Sequence, residues 1–189
     1  MRTSTTRLAI LLAPLTLALV ALVHRTTLQA WADGARDGVR GLEGAPGPAL
    51  PTGTHTLDGA PLSLDALRGR VVLLHFWTFG CSNCKHMLPR YADWQERLGG
   101  RGLSVVGVHT PETDAEQDRA ALGRFVQKEK IRWPVLVDAD QAIWGRYRVQ
   151  AWPTIVLIDR RGVVRASFVG DDRAPAIEAA LTPLLAEAR

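Results

Sequence analysis

Cys81 and Cys84 are the residues whose type and spacing best suit chemistry, and they are the only cysteines in this chain of 189 residues. They follow an apolar run that begins at Val71 and breaks at Gly80, which is the pattern of a strand buried on both faces of a sheet. Apolar residues at helical spacing come next, in the segment 87–98. Cys81 is therefore predicted to lie where a buried strand passes into the N-terminus of a helix.

This position predicts separate roles for the two thiols. Unpaired backbone N–H groups and the positive end of a helix dipole stabilise a thiolate, and in such motifs they lower a cysteine pKa from about 8.5 to roughly 3.5–7.5. Cys81 is thus the expected nucleophile. Cys84 lies one helical turn further along the chain, within reach of a mixed disulfide formed at Cys81, so it is the expected resolving cysteine. The pair is predicted to be redox-active.

Three other uses of a cysteine pair fit the sequence less well. A structural zinc site needs four ligands, so it would have to recruit two of His75, His86 and His109 or a nearby acid. Covalent haem attachment needs a histidine directly after the second cysteine, where this chain has Lys85. A purely structural disulfide at this spacing closes almost no loop and would restrict the unfolded chain little. We therefore expect no metal and no cofactor.

The downstream segments alternate between strand and helix patterns, as in an α/β fold. Strand patterns occupy residues 103–109, 135–137, 154–158 and 163–169, and helix patterns occupy residues 116–130, 141–147 and 175–186. An Asp-Gly turn within residues 54–63 predicts a hairpin before them, and Asp140 is the predicted cap of the helix 141–147. Catalytic groups gather beyond the carboxyl ends of parallel strands, so Cys81 and Glu112 are expected to be neighbours.

The N-terminus, residues 1–32, has the pattern of a signal peptide or a signal anchor. Residues 8–23 carry no charge and follow Arg2 and Arg7. Their helix would reach ~24 Å against a hydrocarbon core of ~30 Å, which favours cleavage. Arg25 directly after the apolar run favours an uncleaved anchor instead, which is our expectation. Either form places the rest of the chain in the periplasm or another extracytoplasmic space.

After this segment, residues 33–51 are rich in Gly, Ala and Pro with no sustained period, and they are predicted to be a linker. The domain itself is then predicted to span residues 52–189. The net charge of +4 is modest and no basic run interleaves with aromatic residues, so nucleic-acid binding is not expected. We expect a monomer.

The motifs around the cysteines resemble the thioredoxin superfamily, and specifically its membrane-tethered TlpA-like and ResA-like thiol-disulfide oxidoreductases. The residues that carry the resemblance are Phe76-Trp77, Cys81-Ser82-Asn83-Cys84-Lys85, Pro89, Trp152-Pro153-Thr154 and Gly170. Residues 106–113 are also similar to the thioredoxin domain of DipZ-type proteins. The resemblance implies a thioredoxin-like fold with a central mixed sheet flanked by helices, an N-terminal hairpin, and a TlpA-type insertion of one helix and one strand.

The same resemblance implies a function and a set of site residues. It implies an exported enzyme that exchanges its dithiol or disulfide with cysteine pairs of other exported proteins, apocytochrome c being the leading suggestion. A membrane thiol electron carrier would supply its electrons. Pro153 is implied to be a cis proline facing the cysteines, and the implied substrate-binding residues are Trp77, Trp152, Ser82 and Asn83.

The chain departs from the family where a proton acceptor is expected. Thioredoxin has an acidic residue two positions before the tryptophan of the central strand, and this chain has His75 there. His75 can act as a base for Cys84 while neutral, or it can be a core group held by hydrogen bonds, and the sequence leaves both open. ResA-like reductases place a glutamate three residues after the second cysteine, where Met87 stands here. Glu112 or His109 is the candidate replacement.

Two alternative functions come from other classes of protein. Thr78 and Cys81 match part of a peroxiredoxin site, but Leu74 stands where those enzymes carry a proline. Copper delivery through Cys81, Cys84 and a remote histidine is the second alternative, because thiolates favour Cu(I). Copper carriers usually space their cysteines by three residues, whereas two separate the pair here.

Overall fold

The computed structural model describes Val39 and residues 41–187, which contain a five-stranded sheet flanked by helices. The strands are β1 (Val71–Trp77), β2 (Leu103–His109), β3 (Val135–Val137), β4 (Thr154–Ile158) and β5 (Val164–Val169). The helices are α1 (Ser82–Leu98), α2 (Arg119–Lys128), α3 (Ala142–Arg146) and α4 (Ala174–Ala186). Short 3-10 turns occupy Asp65–Leu67, Gly99–Arg101 and Asp114–Gln117.

The sheet has the strand order β3-β2-β1-β4-β5. β1 and β2 are parallel, as are β2 and β3, whereas β4 runs antiparallel to both β1 and β5. β1 is the central strand and is buried over its whole length, which explains why its sequence is nearly continuous in apolar residues. The predicted mixed sheet is confirmed, and the helix and strand of the predicted insertion are present as α2 and β3.

The two faces of β1 have different neighbours because successive side chains alternate across a strand. Val72, Leu74 and Phe76 belong to a core cluster that includes residues of β2, β4 and α3. His75, on the opposite face, stacks on Tyr91 of α1. The single polar side chain of β1 is therefore enclosed beneath the helix that carries the cysteines.

Helix α1 begins at Ser82, five residues before the apolar pattern that predicted it. Cys81 is the N-cap residue in extended conformation, and its sulfur accepts a hydrogen bond from the Cys84 backbone N–H at 3.1 Å. The first turn is polar and exposed at Ser82 and Asn83, so hydrophobic periodicity could not mark it.

Both edges of the sheet are covered by segments that precede β1. At the β3 edge the predicted hairpin forms only isolated bridges, His55 with Pro61 and Thr56 with Leu136. At the β5 edge, Gly44 N–H donates to the Val164 carbonyl at 2.8 Å, and Val164 N–H donates to the Ala45 carbonyl at 2.9 Å. These contacts pair part of each edge strand with another segment of the chain.

The described part of the predicted linker is thus packed on the domain. Val39 and Leu42 lie in the core cluster, and the Tyr147 hydroxyl donates to the Pro48 carbonyl at 3.1 Å. The segment docks because the backbone edge of β5 needs hydrogen-bond partners, a demand that composition alone does not reveal. Residues 41–51 therefore extend the folded unit beyond the predicted start at residue 52.

Helix α3 is capped mainly by a residue other than the predicted one. Asp138, which is buried just after β3, accepts from the Ile143 N–H at 2.8 Å and from the Trp144 N–H at 2.9 Å. Asp140 accepts only from the Ala142 N–H, at 3.2 Å. The buried carboxylate dominates because it is held in place by Thr110, whose hydroxyl donates to it at 3.0 Å.

The predicted signal peptide or anchor, residues 1–32, lies outside the described residues. Within residues 41–187, no helix is both long enough and apolar enough to cross a membrane.

Candidate redox site

The two cysteines form a disulfide at the N-terminus of α1, with their Cα atoms 5.3 Å apart. Cys81 is partly exposed, whereas Cys84 is 1% exposed. A disulfide partner arriving from solvent can reach Cys81 but not Cys84. The difference in access agrees with the predicted order of attack, in which Cys81 reacts first and Cys84 resolves.

The exposed surface next to Cys81 on α1 is polar. Ser82 and Asn83 are exposed on the first turn of α1. The Trp152-Pro153 peptide bond is cis, and Trp152 is partly buried against Trp144, with ring centroids 4.3 Å apart. Ser82, Asn83 and Trp152 therefore have surface that an incoming chain could touch, whereas Pro153 is buried.

Trp77 does not lie on that surface, in contrast to the prediction that it binds substrate. Its side chain is 1% exposed, and its ring packs against His109 and Phe125, with centroid distances of 5.4 and 5.7 Å. The reason is its position at the end of a strand buried on both faces. Trp77 supports the loop behind Cys81 and is screened from a bound chain.

His75 is enclosed in a box of aromatic rings on the α1 side of the sheet. It is fully buried, stacks on Tyr91 at 4.1 Å, and lies edge to face with Trp133 at 5.8 Å. The Trp133 Nε1–H donates to His75 Nε2 at 2.9 Å. Because an indole N–H can only donate, Nε2 must be the accepting nitrogen and the neutral ring carries its proton on Nδ1.

This hydrogen bond occupies the one lone pair with which His75 could accept a proton. Burial lowers the pKa of His75 to about 3, so the ring is neutral at physiological pH. Among the described side chains, its Nδ1 has no hydrogen-bond partner. The contacts favour the core role over the role of a base for Cys84.

The acidic residue behind the active-site loop is Glu116, not the predicted Glu112. Glu112 has an exposed side chain and contributes only its backbone N–H, which donates to Glu116 Oε2 at 2.7 Å. Glu116 is 6% exposed, and its Oε1 accepts from the Gly80 N–H at 2.9 Å. Its Oε2 also accepts from the Thr113 N–H at 3.1 Å. The exposed Glu112 carboxylate thus makes no hydrogen bond to the active-site loop among the described residues, and Glu116 does.

Glu116 stays ionised in this environment. Burial opposes the charge, but the N–H groups of Glu112 and Thr113, the Thr78 hydroxyl and the Gly80 N–H outweigh it and hold the pKa of Glu116 below its usual range. A Cβ at position 80 would overlap Glu116 Oε1, so the contact requires glycine there. The carboxylate thus binds the residue directly before Cys81.

His109 completes a hydrogen-bonded chain to the same carboxylate. The Thr78 hydroxyl has a single proton, which it gives to Glu116, so His109 Nε2–H must donate to Thr78 Oγ1, at 3.3 Å. The His109 ring also stacks on Phe79 at 5.4 Å. Burial lowers the pKa of His109 to about 4, although the negative charge of Glu116 acts to raise it. This ring too is therefore neutral near pH 7.

Two of these residues escaped prediction from the sequence. Glu116 had a usable signal, since Thr113 and Glu116 have the spacing of a capping box, and the structure contains that box. Trp133 had no such signal, because its hydrogen bond spans 58 positions of sequence.

The fold, together with a partly exposed Cys81 and a buried Cys84, defines a thiol-disulfide oxidoreductase of the thioredoxin-like class. The chain belongs to the AhpC/TSA family, whose family model matches residues 44–167.

Individual relatives agree with this class. The chain is 34% identical to Protein DipZ of Mycobacterium tuberculosis over 135 residues, which cover 71% of this chain and 19% of that protein. It therefore spans about a fifth of the length of DipZ. It is 30% identical to the thiol-disulfide oxidoreductase ResA of Bacillus anthracis over 122 residues, covering 65% of this chain and 68% of the relative.

The structure is also similar to solved structures. A thiol-disulfide isomerase from Corynebacterium glutamicum superposes with a TM-score of 0.65 at 25% identity, covering 75% of this chain and 98% of that one.

Proposed function

We propose that this protein exchanges its Cys81–Cys84 dithiol or disulfide with cysteine pairs of exported proteins. The observation that carries the proposal is the asymmetry of the pair at a helix N-terminus. Cys81 caps α1 and is accessible, and Cys84 is buried one turn behind it. A nucleophile in front of an enclosed resolving thiol is the arrangement that thiol-disulfide exchange requires.

In the reducing direction, the exchange proceeds in two displacements. The Cys81 thiolate attacks one sulfur of the substrate disulfide, forming a mixed disulfide and releasing the other substrate sulfur as a thiolate. The Cys84 sulfur, once deprotonated, attacks Cys81 Sγ and releases the second substrate sulfur. Two electrons and two protons pass to the substrate, and the protein ends as the Cys81–Cys84 disulfide. The oxidising direction is the reverse.

The substrate surface is proposed to comprise Ser82, Asn83 and Trp152, with the buried cis Pro153 directly after Trp152. Pro153 has no backbone N–H, and its carbonyl accepts from the Gly170 N–H at 3.0 Å. In this proposal the substrate contacts both the exposed first turn of α1 and the partly exposed Trp152. An extended substrate segment that meets both would present its disulfide to Cys81.

We propose an extracytoplasmic setting, for which the N-terminal pattern is the support. Residues 8–23 support an extracytoplasmic location with a tether to the inner membrane. We propose apocytochrome c as a substrate and a membrane thiol carrier as the source of electrons, by similarity to ResA-like reductases.

The geometry supports peroxide reduction less well than disulfide exchange, although the chain belongs to the AhpC/TSA family. Thr78 is fully buried, and its hydroxyl is engaged by His109 and Glu116, so it is not presented to a small substrate beside Cys81. Exchange with a disulfide needs no such hydroxyl.

Differential alkylation and trapping test the proposed roles. The reduced protein is treated with limiting iodoacetamide at mildly acidic pH, and the adduct is mapped by mass spectrometry. We expect labelling at Cys81, and we expect Cys84→Ser to accumulate a mixed disulfide with a peptide disulfide while Cys81→Ser forms none. Preferential labelling of Cys84, or turnover of hydrogen peroxide without any disulfide exchange, would overturn the assignment.

A further inference from the structure

The turn that precedes Cys81 is held by one ionised carboxylate. Glu116 Oε1 accepts from the Gly80 N–H, and the Thr78 hydroxyl donates to the same side chain. Residues 78 and 80 are thus both attached to Glu116, and Cys81 is the next residue in the chain. The side chain is 6% exposed, so water screens its charge only weakly.

This carboxylate opposes the other electrostatic influence on Cys81. The N-terminus of α1 favours a thiolate at Cys81, because unpaired N–H groups and the helix dipole present positive charge there. A fixed negative charge nearby disfavours a second negative charge. The pKa of the Cys81 thiol therefore depends on two opposing effects, the positive N-terminus of α1 and the negative charge of Glu116 on the loop after β2.

We propose that Glu116 is a positioning residue for disulfide exchange. It fixes the turn before Cys81, and its negative charge destabilises the Cys81 thiolate. This keeps the reduction potential of the cysteine pair low. The inference rests on the exchange chemistry proposed above. Reduction of the disulfide takes up two electrons and leaves a thiolate at Cys81 when the pH exceeds the pKa of that thiol. Whatever destabilises this thiolate lowers the reduction potential.

The other charged groups around Cys81 are exposed or paired elsewhere. On α1, Lys85 and His86 are exposed, and His86 Nδ1 pairs with Asp171 at 2.9 Å from the loop before α4. On the loop after β2, Glu112 and Asp114 are exposed. The segment 149–154, which contains the cis proline, has no ionisable side chain. Among the residues that the structure describes, His75 beneath α1 and His109 are also buried, and burial keeps both neutral near pH 7.

The test compares Glu116→Gln with Asp114→Asn, which removes one exposed charge from the same short turn. Cys81 ionisation is followed by thiolate absorbance against pH, and the disulfide equilibrium is measured against glutathione. For Glu116→Gln we expect the Cys81 pKa to fall by about one unit. At a pH above both pKa values, the equilibrium should shift about tenfold towards the reduced protein, which corresponds to about 30 mV. Asp114→Asn should match the wild type.

Two further variants separate charge from structure. Thr78→Val removes the hydroxyl's hydrogen bonds to Glu116 and from His109 but keeps the carboxylate, so it should lower the melting temperature with little change in the Cys81 pKa. Gly80→Ala keeps the glutamate but forces its carboxylate away from the loop, so it should shift the pKa in the same direction as Glu116→Gln. This variant also provides the test if Glu116→Gln, whose amide would face several N–H donors, fails to fold.

The outcomes distinguish this inference from the proposed function. If folded Glu116→Gln or Gly80→Ala retains the wild-type Cys81 pKa and glutathione equilibrium, Glu116 is only a structural residue and the inference is wrong. If the wild-type pair does not equilibrate with glutathione at all, it is the proposed exchange activity that fails.

Discussion

The enclosed imidazole of His75 makes a sharp prediction about stability and pH. In the unfolded chain a histidine takes up a proton below about pH 6.5, whereas burial lowers the pKa of His75 in the folded protein to about 3. A neutral buried histidine therefore contributes its full stabilisation above pH 6.5, and that contribution is lost as the pH falls towards 3. At pH 5, about 1.5 units below the unfolded value, the loss from this one residue is roughly 2 kcal/mol.

Replacing His75 with Phe removes this pH dependence while keeping a ring to stack on Tyr91. The Trp133 N–H loses its acceptor, which should destabilise His75→Phe by about 1–3 kcal/mol at pH 8. Between pH 8 and pH 5 the difference in the free energy of unfolding between His75→Phe and the wild type should shrink by about 2 kcal/mol, because only the wild type loses stability through His75. His109 and the carboxylates titrate in both proteins, so their contributions cancel in the difference.

Urea unfolding at pH 8, 6.5 and 5 measures this difference in the free energy of unfolding. Trp133→Phe is the matched control. That variant loses the same hydrogen bond but keeps the buried histidine, so its gap to the wild type should not narrow. Stopped-flow measurement of mixed-disulfide resolution completes the experiment. A core histidine leaves the resolving rate of folded His75→Phe unchanged, whereas a base would cost about ten to a hundredfold. A gap that is constant with pH, or a resolving step slowed by that factor, would refute the core role.

The remaining predictions concern packing and substrate contact. Gly107→Ala should destabilise the protein by about 1–3 kcal/mol in a thermal or urea melt, because its Cβ would lie 2.9 Å from Trp77 Nε1 and 3.0 Å from His75 Nε2. Gly123→Ala in α2, where a Cβ meets nothing within 4 Å, is the control and should be neutral or slightly stabilising; equal losses would contradict the packing argument. Trp152→Ala should slow reduction of a protein disulfide such as insulin several-fold while sparing a small disulfide such as hydroxyethyl disulfide, and equal effects on both substrates would remove Trp152 from the substrate surface.

Local patterns in the sequence were sufficient to predict most of the elements. The strand at residues 103–109 and the strand at 154–158 occur with the predicted bounds, because a buried strand needs a continuous apolar run. The final helix, predicted at 175–186, begins one residue earlier, and its apolar residues Ile177, Ala180, Leu181 and Leu184 are buried as expected. These features depend only on side-chain periodicity, which is a property of neighbouring residues in the chain.

Errors arose where a residue's role depends on a partner distant in sequence. The composition of the segment 41–51 predicts a linker. In the structure this segment pairs with β5, which lies more than a hundred residues later in the chain. Asp140 has the right position for a local cap, but buried Asp138, fixed by Thr110, does more of the capping. Neither outcome can be obtained from a window of adjacent residues.

The sequence by itself determined the chemistry, because two cysteines between a buried strand and a helix leave few other uses for the thiols. Only the tertiary structure decided which groups surround them. Glu112 and Glu116 are both glutamates in one loop, and the fold buries only Glu116 and directs it at Gly80. His75 could have faced Cys84 or the core, and Trp133 engages its accepting nitrogen. The physical reason is that pKa, access and hydrogen bonding depend on the distances between groups, which are set when the chain folds.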